Sequence, residues 1–141
     1  MKKMYLTILI TLLTLRLSAP VFEGAIIMQG EPIDPFHKLW VATYMTESSG
    51  DANAYHMEDN GFPSVGIGQI QQSRVDDYNK QAGKNFTLFD MYDPKIAKKV
   101  FYFYCDDPYN LEKIARCWNA GPNGMRYKAT IEYWNKVKNL L

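Results

Sequence analysis

Residues 40–50 read WVATYMTESSG, and residues 64–70 read SVGIGQI. The first stretch starts apolar and ends on Glu47, followed at once by Ser48, Ser49 and Gly50. Phe36, Trp40, Thr43, Tyr44 and Glu47 recur at three- and four-residue spacing, so they share one face of a helix. Glu47 then falls at the last turn, where a carboxylate can be half buried and still meet a ligand. Gly50 is the expected helix stop. In the second stretch, Gly66 and Gly68 let the backbone pass close to its surroundings, and Gln69 supplies a polar handle. A third stretch of the same character, CWNAGPNG, runs from Cys117 to Gly124.

Outward from these pieces, the chain reads as a mainly α single domain. Asp34-Pro35 opens the first helix, with Asp34 as N-cap and Pro35 in the first turn. Residues 51–72 lack helical periodicity and hold Asn60-Gly61 and Phe62-Pro63, which predicts a loop with a small hairpin. Ser73 and Asp76 form a near capping box for a helix with the stripe Val75, Tyr78 and Ala82, ended by Gly83. Asp93-Pro94 repeats the opening device before a helix to Cys105. That helix is apolar nearly all round and is expected to be central and buried. Asn110 caps the next helix, which Gly121-Pro122 stops. A last one carries Ile131, Tyr133, Trp134, Val137 and Leu140. The sum is about five helices, with irregular chain carrying the polar residues.

The chain has 141 residues, room for one domain rather than two. Hydrophobic content of 47% provides for a core. A formal net charge of +1 argues against a nucleic-acid partner, which calls for a basic excess. Residues 1–19 stand apart. Lys2 and Lys3 precede an apolar run broken by Arg16, and Leu17-Ser18-Ala19 has the small-residue end of an export signal. The run is short for a membrane span, so it reads as a signal peptide, with an uncleaved N-terminal anchor as the alternative and the only membrane link expected. Export to the periplasm or cell envelope follows. Residues 20–33, with Pro20, Gly24, Gly30 and Pro32, read as a linker or arm, and 34–141 as the working domain.

An exported chain can pair its two cysteines, Cys105 and Cys117. The helix reading puts their α-carbons roughly 10 Å apart at ~1.5 Å rise per residue, beyond the ~7 Å that a disulfide spans. With His37 and His56 they complete no metal-ligand spacing, so no metal and no cofactor is expected.

Glu47-Ser48-Ser49, then Gly66-Ile67-Gly68-Gln69-Ile70, then Trp118-Asn119-Ala120-Gly121-Pro122 resemble in order and spacing the E-S-x, G-L-M-Q and A-Y-N-A-G motifs of the soluble lytic transglycosylase (SLT) domain family, within the lysozyme superfamily. The likeness covers about residues 36–139. It implies a lysozyme-like fold and a partner in the glycan strands of peptidoglycan. Glu47 matches the catalytic glutamate, Gln69 the glutamine lining the cleft, and Asn119 the asparagine that holds the third motif in place. Trp118 stands where the family has a Tyr near the sugar, and offers a stacking surface. Gly68 replaces the usual Met and leaves that wall thinner. By simple counting His56 sits where many members have a Ser, while Ser64 is the other candidate counterpart. Tyr133 reads as core, with its hydroxyl near the cleft.

The implied reaction is cleavage of the MurNAc-β-1,4-GlcNAc bond with formation of 1,6-anhydroMurNAc, Glu47 serving as acid and then base. A usual glycosidase needs two carboxylates. Asp51, Glu58 and Asp59 are the candidates for a second one, and goose-type lysozymes carry acidic residues in this interval. Glu58 and Asp59 lie in a turn-rich loop and read as solvated charges, which favours the lyase over a goose-type-like muramidase. A weakly active wall-binding component of an envelope-spanning secretion or conjugation assembly is the non-enzymatic alternative, with that assembly as its partner.

Overall fold

The computed structural model describes residues 33–58 and 61–141. The expected export signal and nearly all of the arm lie outside the described residues, as do Asp59 and Asn60. Asp34–Leu141 form one compact unit. Its elements, in chain order, are α1 (His37–Ser48), β1 (Tyr55–Met57), β2 (Pro63–Val65), β3 (Ile70–Gln71), α2 (Gln72–Ala82), α3 (Pro94–Phe103), α4 (Leu111–Ala120) and α5 (Ala129–Lys138). Short 3-10 turns at Leu88–Tyr92 and Gly124–Arg126 precede α3 and α5. The fold is therefore mainly α, with five α-helices and one small sheet among the described residues.

That sheet is an antiparallel meander in the order β1-β2-β3. Tyr55 pairs with Val65, His56 with Ser64, and Val65 with Ile70. The expected hairpin is thus extended by a third strand, which is only two residues long and runs straight into α2. That direct join corrects the expected start of α2. Its N-cap is the extended Gln71, not Ser73, and no side chain caps it. The capping box lies instead at Thr87 and Asp90, before the first 3-10 turn. Thr87 N–H donates to Asp90 Oδ2 at 2.7 Å.

The start of α1 is corrected in the same way. The N-cap is Phe36, because Asp34 is engaged elsewhere. The Asp34 carboxylate accepts from Phe36 N at 3.1 Å, from Tyr102 Oη at 2.6 Å and from Lys98 Nζ at 3.4 Å. It therefore ties the entry of α1 to α3 rather than capping a helix. At the other end Ser49, at φ 56°, makes the left-handed stop one residue before Gly50. Asp93 does cap α3, accepting from Lys95 N at 2.8 Å with Pro94 in the first turn. Asn110 caps α4 by accepting from Lys113 N at 3.1 Å.

Helix α3 is central but not buried all round. Ala97, Val100 and Phe101 are fully buried, whereas Phe103 is exposed. Tyr102 and Tyr104 bury their rings in part and spend their hydroxyls on Asp34 and Asp77. A tyrosine can cover apolar surface and still meet water at its tip, so counting it as fully apolar overstates burial. Phe101 is the hub: its ring centroid lies 5.1 Å from Trp40 of α1 and 5.0 Å from Trp118 of α4. Edge and tilted contacts of this kind favour one arrangement of the three helices beyond their shared burial. Cys105 and Cys117 are both free thiols.

Helix α5 is held against α4 by a buried arginine. Arg116 donates through Nε to Thr130 Oγ1 at 2.8 Å and through Nη1 to Glu112 Oε1 at 2.7 Å. Its Nη2 reaches the carbonyls of Met125 at 2.9 Å and Tyr127 at 3.3 Å. The Thr130 hydroxyl lies 2.8 Å from Gly124 O and from Tyr127 O. A buried guanidinium is tolerable only when its donors are satisfied in this way.

Candidate active site

Three segments converge where α1 ends. Ser48 donates to Ile67 O at 2.9 Å and lies 3.2 Å from Tyr44 O, so the last turn of α1 is stitched to the tight turn after β2. That turn spans residues 66–69. Gly66, at φ 71°, comes so close to the Met91 carbonyl that no Cβ fits. Gln69 closes the turn at φ 46°, a left-handed conformation uncommon for a residue other than glycine. The strain is offset by its own hydrogen bonds: Gln69 N donates to Gly66 O at 3.1 Å, and Gln69 Nε2 donates to the same oxygen at 3.0 Å.

The result is a cleft of about 280 Å³ with Glu47, Glu58 and Gln69 in its lining. Trp118 and Asn119, from the last turn of α4, line it as well. Helix α2 contributes Ser73 and Arg74. Trp118 is buried and Asn119 is exposed. Ser64 lies buried behind the lining. Its hydroxyl sits 2.7 Å from Glu58 Oε1 and 2.9 Å from Gln69 Oε1, one proton shared between two acceptors. His56 is exposed on β1 and is not part of the lining. Asp51 is exposed too, and accepts from Asn53 N at 2.8 Å.

Glu58 corrects the expectation of a solvated loop charge. It is half buried and shares the cleft with Glu47. The register explains why. Glu58 follows β1, its N–H bonds Phe62 O at 3.2 Å, and the hairpin turns it back toward Ser64.

Tyr133 crosses from α5 to complete the centre. Its hydroxyl donates to Glu47 Oε1 at 2.6 Å. Glu47 is half buried in the cleft wall, and desolvation of its carboxyl raises its pKa from 4.5 to about 7. The charge of Glu58 pushes in the same direction. The Tyr133 hydrogen bond, the Arg74 charge and the Trp118 side chain pull back, and desolvation prevails. Burial and the Glu47 charge in turn hold the Tyr133 phenol well above its ordinary value, so it remains a donor at any working pH. A carboxylic acid that still carries its proton near neutrality, in a cleft lined by amides and an indole, can protonate a leaving oxygen.

The chain is similar to the crystal structure of Tapes japonica lysozyme. The identity is 24% and the TM-score 0.49, over 72% of this chain and 87% of that one. No protein-family model matches the chain, and no curated protein does.

Of the sequence-derived candidates, Glu47, Gln69, Trp118 and Asn119 line one cleft, Tyr133 and Ser64 touch its polar groups, and His56 stands outside it. Arg74 was not among the candidates, and Ser73 was read only as a helix cap. Arg74 sits four residues before Tyr78 and beside Val75, on the inward side of α2. A lone arginine on an apolar stripe is the signal that could have found it. Among the described residues no group of three or more His, Cys, Asp or Glu could hold a metal ion.

Proposed function

We propose that this chain cuts the glycan strands of peptidoglycan, with Glu47 as the general acid. One observation carries the reading: the half-buried Glu47 carboxyl, hydrogen-bonded to Tyr133 inside a polar cleft, where desolvation raises its pKa to about 7. The finer proposal is a lytic transglycosylase. Glu47 gives its proton to the oxygen leaving C1 of MurNAc, and the C1–O bond breaks. The Glu47 carboxylate then takes the proton of the MurNAc 6-hydroxyl, whose oxygen closes on C1 as a 1,6-anhydro ring. One carboxyl serves both transfers and no water is consumed. Tyr133 stays bonded to the Glu47 oxygen and stabilises the carboxylate between the two steps. Trp118, its ring largely buried against Arg74 and Phe101, adds apolar surface to the wall, while Gln69 and Asn119 offer amides to the sugar hydroxyls.

The second reading is a muramidase, and Glu58 favours it. A second carboxylate in the same cleft is what a hydrolase uses to activate water or to stabilise the cation at C1. Against it, Glu58 already has one oxygen beside the Ser64 hydroxyl. Mass spectrometry of the products separates the two. Digestion of peptidoglycan with the full chain is expected to yield ends in 1,6-anhydromuramic acid, and Glu58→Gln is expected to retain most of the rate. Products heavier by one water, together with a collapse in Glu58→Gln, would move the assignment to the hydrolase.

The acid form of Glu47 is lost as pH rises through its value of about 7. Cleavage is therefore expected to hold on the acidic side and to fall about tenfold per pH unit well above pH 7. A rate profile still flat at pH 9 would remove Glu47 as the acid.

A further inference from the structure

Arg74 has a cationic head with an unusual set of neighbours. Its Nη2 donates to Trp118 O at 2.7 Å and approaches Cys117 O at 3.4 Å. Those are two of the last four carbonyls of α4, which have no partner inside their own helix. The guanidinium carbon lies 4.8 Å from the centroid of the Tyr104 ring and 4.8 Å from that of Trp118; those two centroids are 6.4 Å apart with the rings at 60°, so the cation sits in the corner that they form. Tyr104 is fixed in turn by donating to Asp77 Oδ2 at 2.7 Å. The same Arg74 lines the cleft that holds Glu47.

We infer that Arg74 is a positioning residue that clamps the last turn of α4, with Trp118, against the cleft and keeps a fixed positive charge in the wall facing Glu47. The clamp follows from the geometry. A cation at the C-terminal end of a helix satisfies its open carbonyls and opposes its negative dipole end. With Arg74 and Tyr104 on one side and Phe101 5.0 Å away, the indole has little room to turn. Lysine replaces this poorly, because a compact ammonium does not cover both rings as a planar guanidinium does while also bonding the carbonyls. Burial lowers the Arg74 pKa, yet a guanidinium stays charged at any working pH.

The charge acts on Glu47 in competition with other groups. Glu47 meets Tyr133 from α5, Trp118 from α4, Arg74 from α2, and Glu58 from the loop after β1. Arg74 favours its ionised form and Glu58 disfavours it. Removing Arg74 therefore leaves Glu58 unopposed by any cation in that set, and the Glu47 pKa moves up. In catalytic terms this inference rests on the proposed role of Glu47. Its central measurement does not.

The test titrates the isotope-labelled Glu47 carboxyl by NMR in the full chain, for wild type, Arg74→Gln and Arg74→Lys, and measures KM and kcat where cleavage is seen. Arg74→Gln is expected to move the Glu47 titration above the wild-type value, carrying the alkaline limb of activity with it. Arg74→Lys is expected to keep the titration near wild type but lose roughly ten- to hundredfold in kcat/KM, chiefly through KM, as Trp118 loosens. An unmoved Glu47 titration in a folded Arg74→Gln protein would overturn the electrostatic half. Wild-type KM in Arg74→Lys would overturn the clamp. Should Arg74→Gln fail to fold, Arg74→Lys decides alone: a wild-type titration with raised KM supports the inference, and wild-type values of both overturn it. If the wild-type chain cuts nothing, the proposed function fails while the titrations still judge Arg74.

Discussion

Glu47→Gln is expected to lower cleavage by about three orders of magnitude or more, since a positioned general acid contributes about 10²–10⁴ and the same carboxyl is needed again as base. The variant is also expected to be more stable than wild type on the alkaline side. The sign follows from linkage. The folded-state value of about 7 exceeds the unfolded value of 4.5, so the folded protein holds the proton more tightly between them. Stability from this group is full below pH 4.5 and is lost as pH rises to about 7. The loss amounts to about 3 kcal/mol, at about 1.4 kcal/mol for each pH unit that separates the two values. Glutamine keeps the shape and can accept from Tyr133 without ever ionising. At pH 8 its denaturation midpoint should therefore exceed that of wild type, and at pH 4 the two should converge. Measured together, activity and pH-dependent unfolding separate a catalytic acid from a surface carboxylate, which would change neither. Undiminished cleavage would end the proposed chemistry.

The second large effect is on folding. Gly66→Ala is expected to destabilise the domain by roughly 3–5 kcal/mol, from two costs that add. An alanine at φ 71° carries the left-handed penalty of about 1–2 kcal/mol. Its Cβ would also overlap the Met91 carbonyl, a backbone group in the 3-10 turn that cannot swing aside as a side-chain tip could. Gly83→Ala is the control: φ is 63° there but nothing lies within 4 Å, so only the first cost applies. Urea unfolding of the two variants should show Gly66→Ala losing at least twice as much as Gly83→Ala. Equal losses would mean that the turn relaxes away from Met91. Because the turn presents Gln69, any Gly66→Ala protein that folds should also bind substrate less well.

Much of the framework was legible because local signals coincide with it. Asp93-Pro94 and Asn110 act at the helix starts where they were read, and Gly83 ends its helix. Glu47 was legible because apolar spacing, a helix stop and two serines fall together. What escaped depends on partners far along the chain. The Tyr133 hydroxyl was expected near the cleft, but its bond to Glu47, across 86 residues, was not. Arg74 reaches the end of α4 across 44. No local pattern encodes either meeting. Glu58 was misread because a turn-rich segment usually faces water. Here three strands of three, three and two residues, too short to show an alternating pattern, fold it back over the cleft. Asp34 and Ser73 were misread for another reason: a good capping residue competes with other uses of the same side chain, and with a strand that runs directly into a helix.

The Arg116–Thr130 lock has a consequence for the chemistry at a distance. Tyr133 lies three residues beyond Thr130, nearly one turn on along the same side of α5. By fixing Thr130, Arg116 sets the angular phase of the whole helix. A slip of one residue would turn it by about 100° and swing the phenol away from Glu47. The acid strength of the cleft is thus written partly as a rotation angle, held by an arginine that never meets the carboxyl it serves.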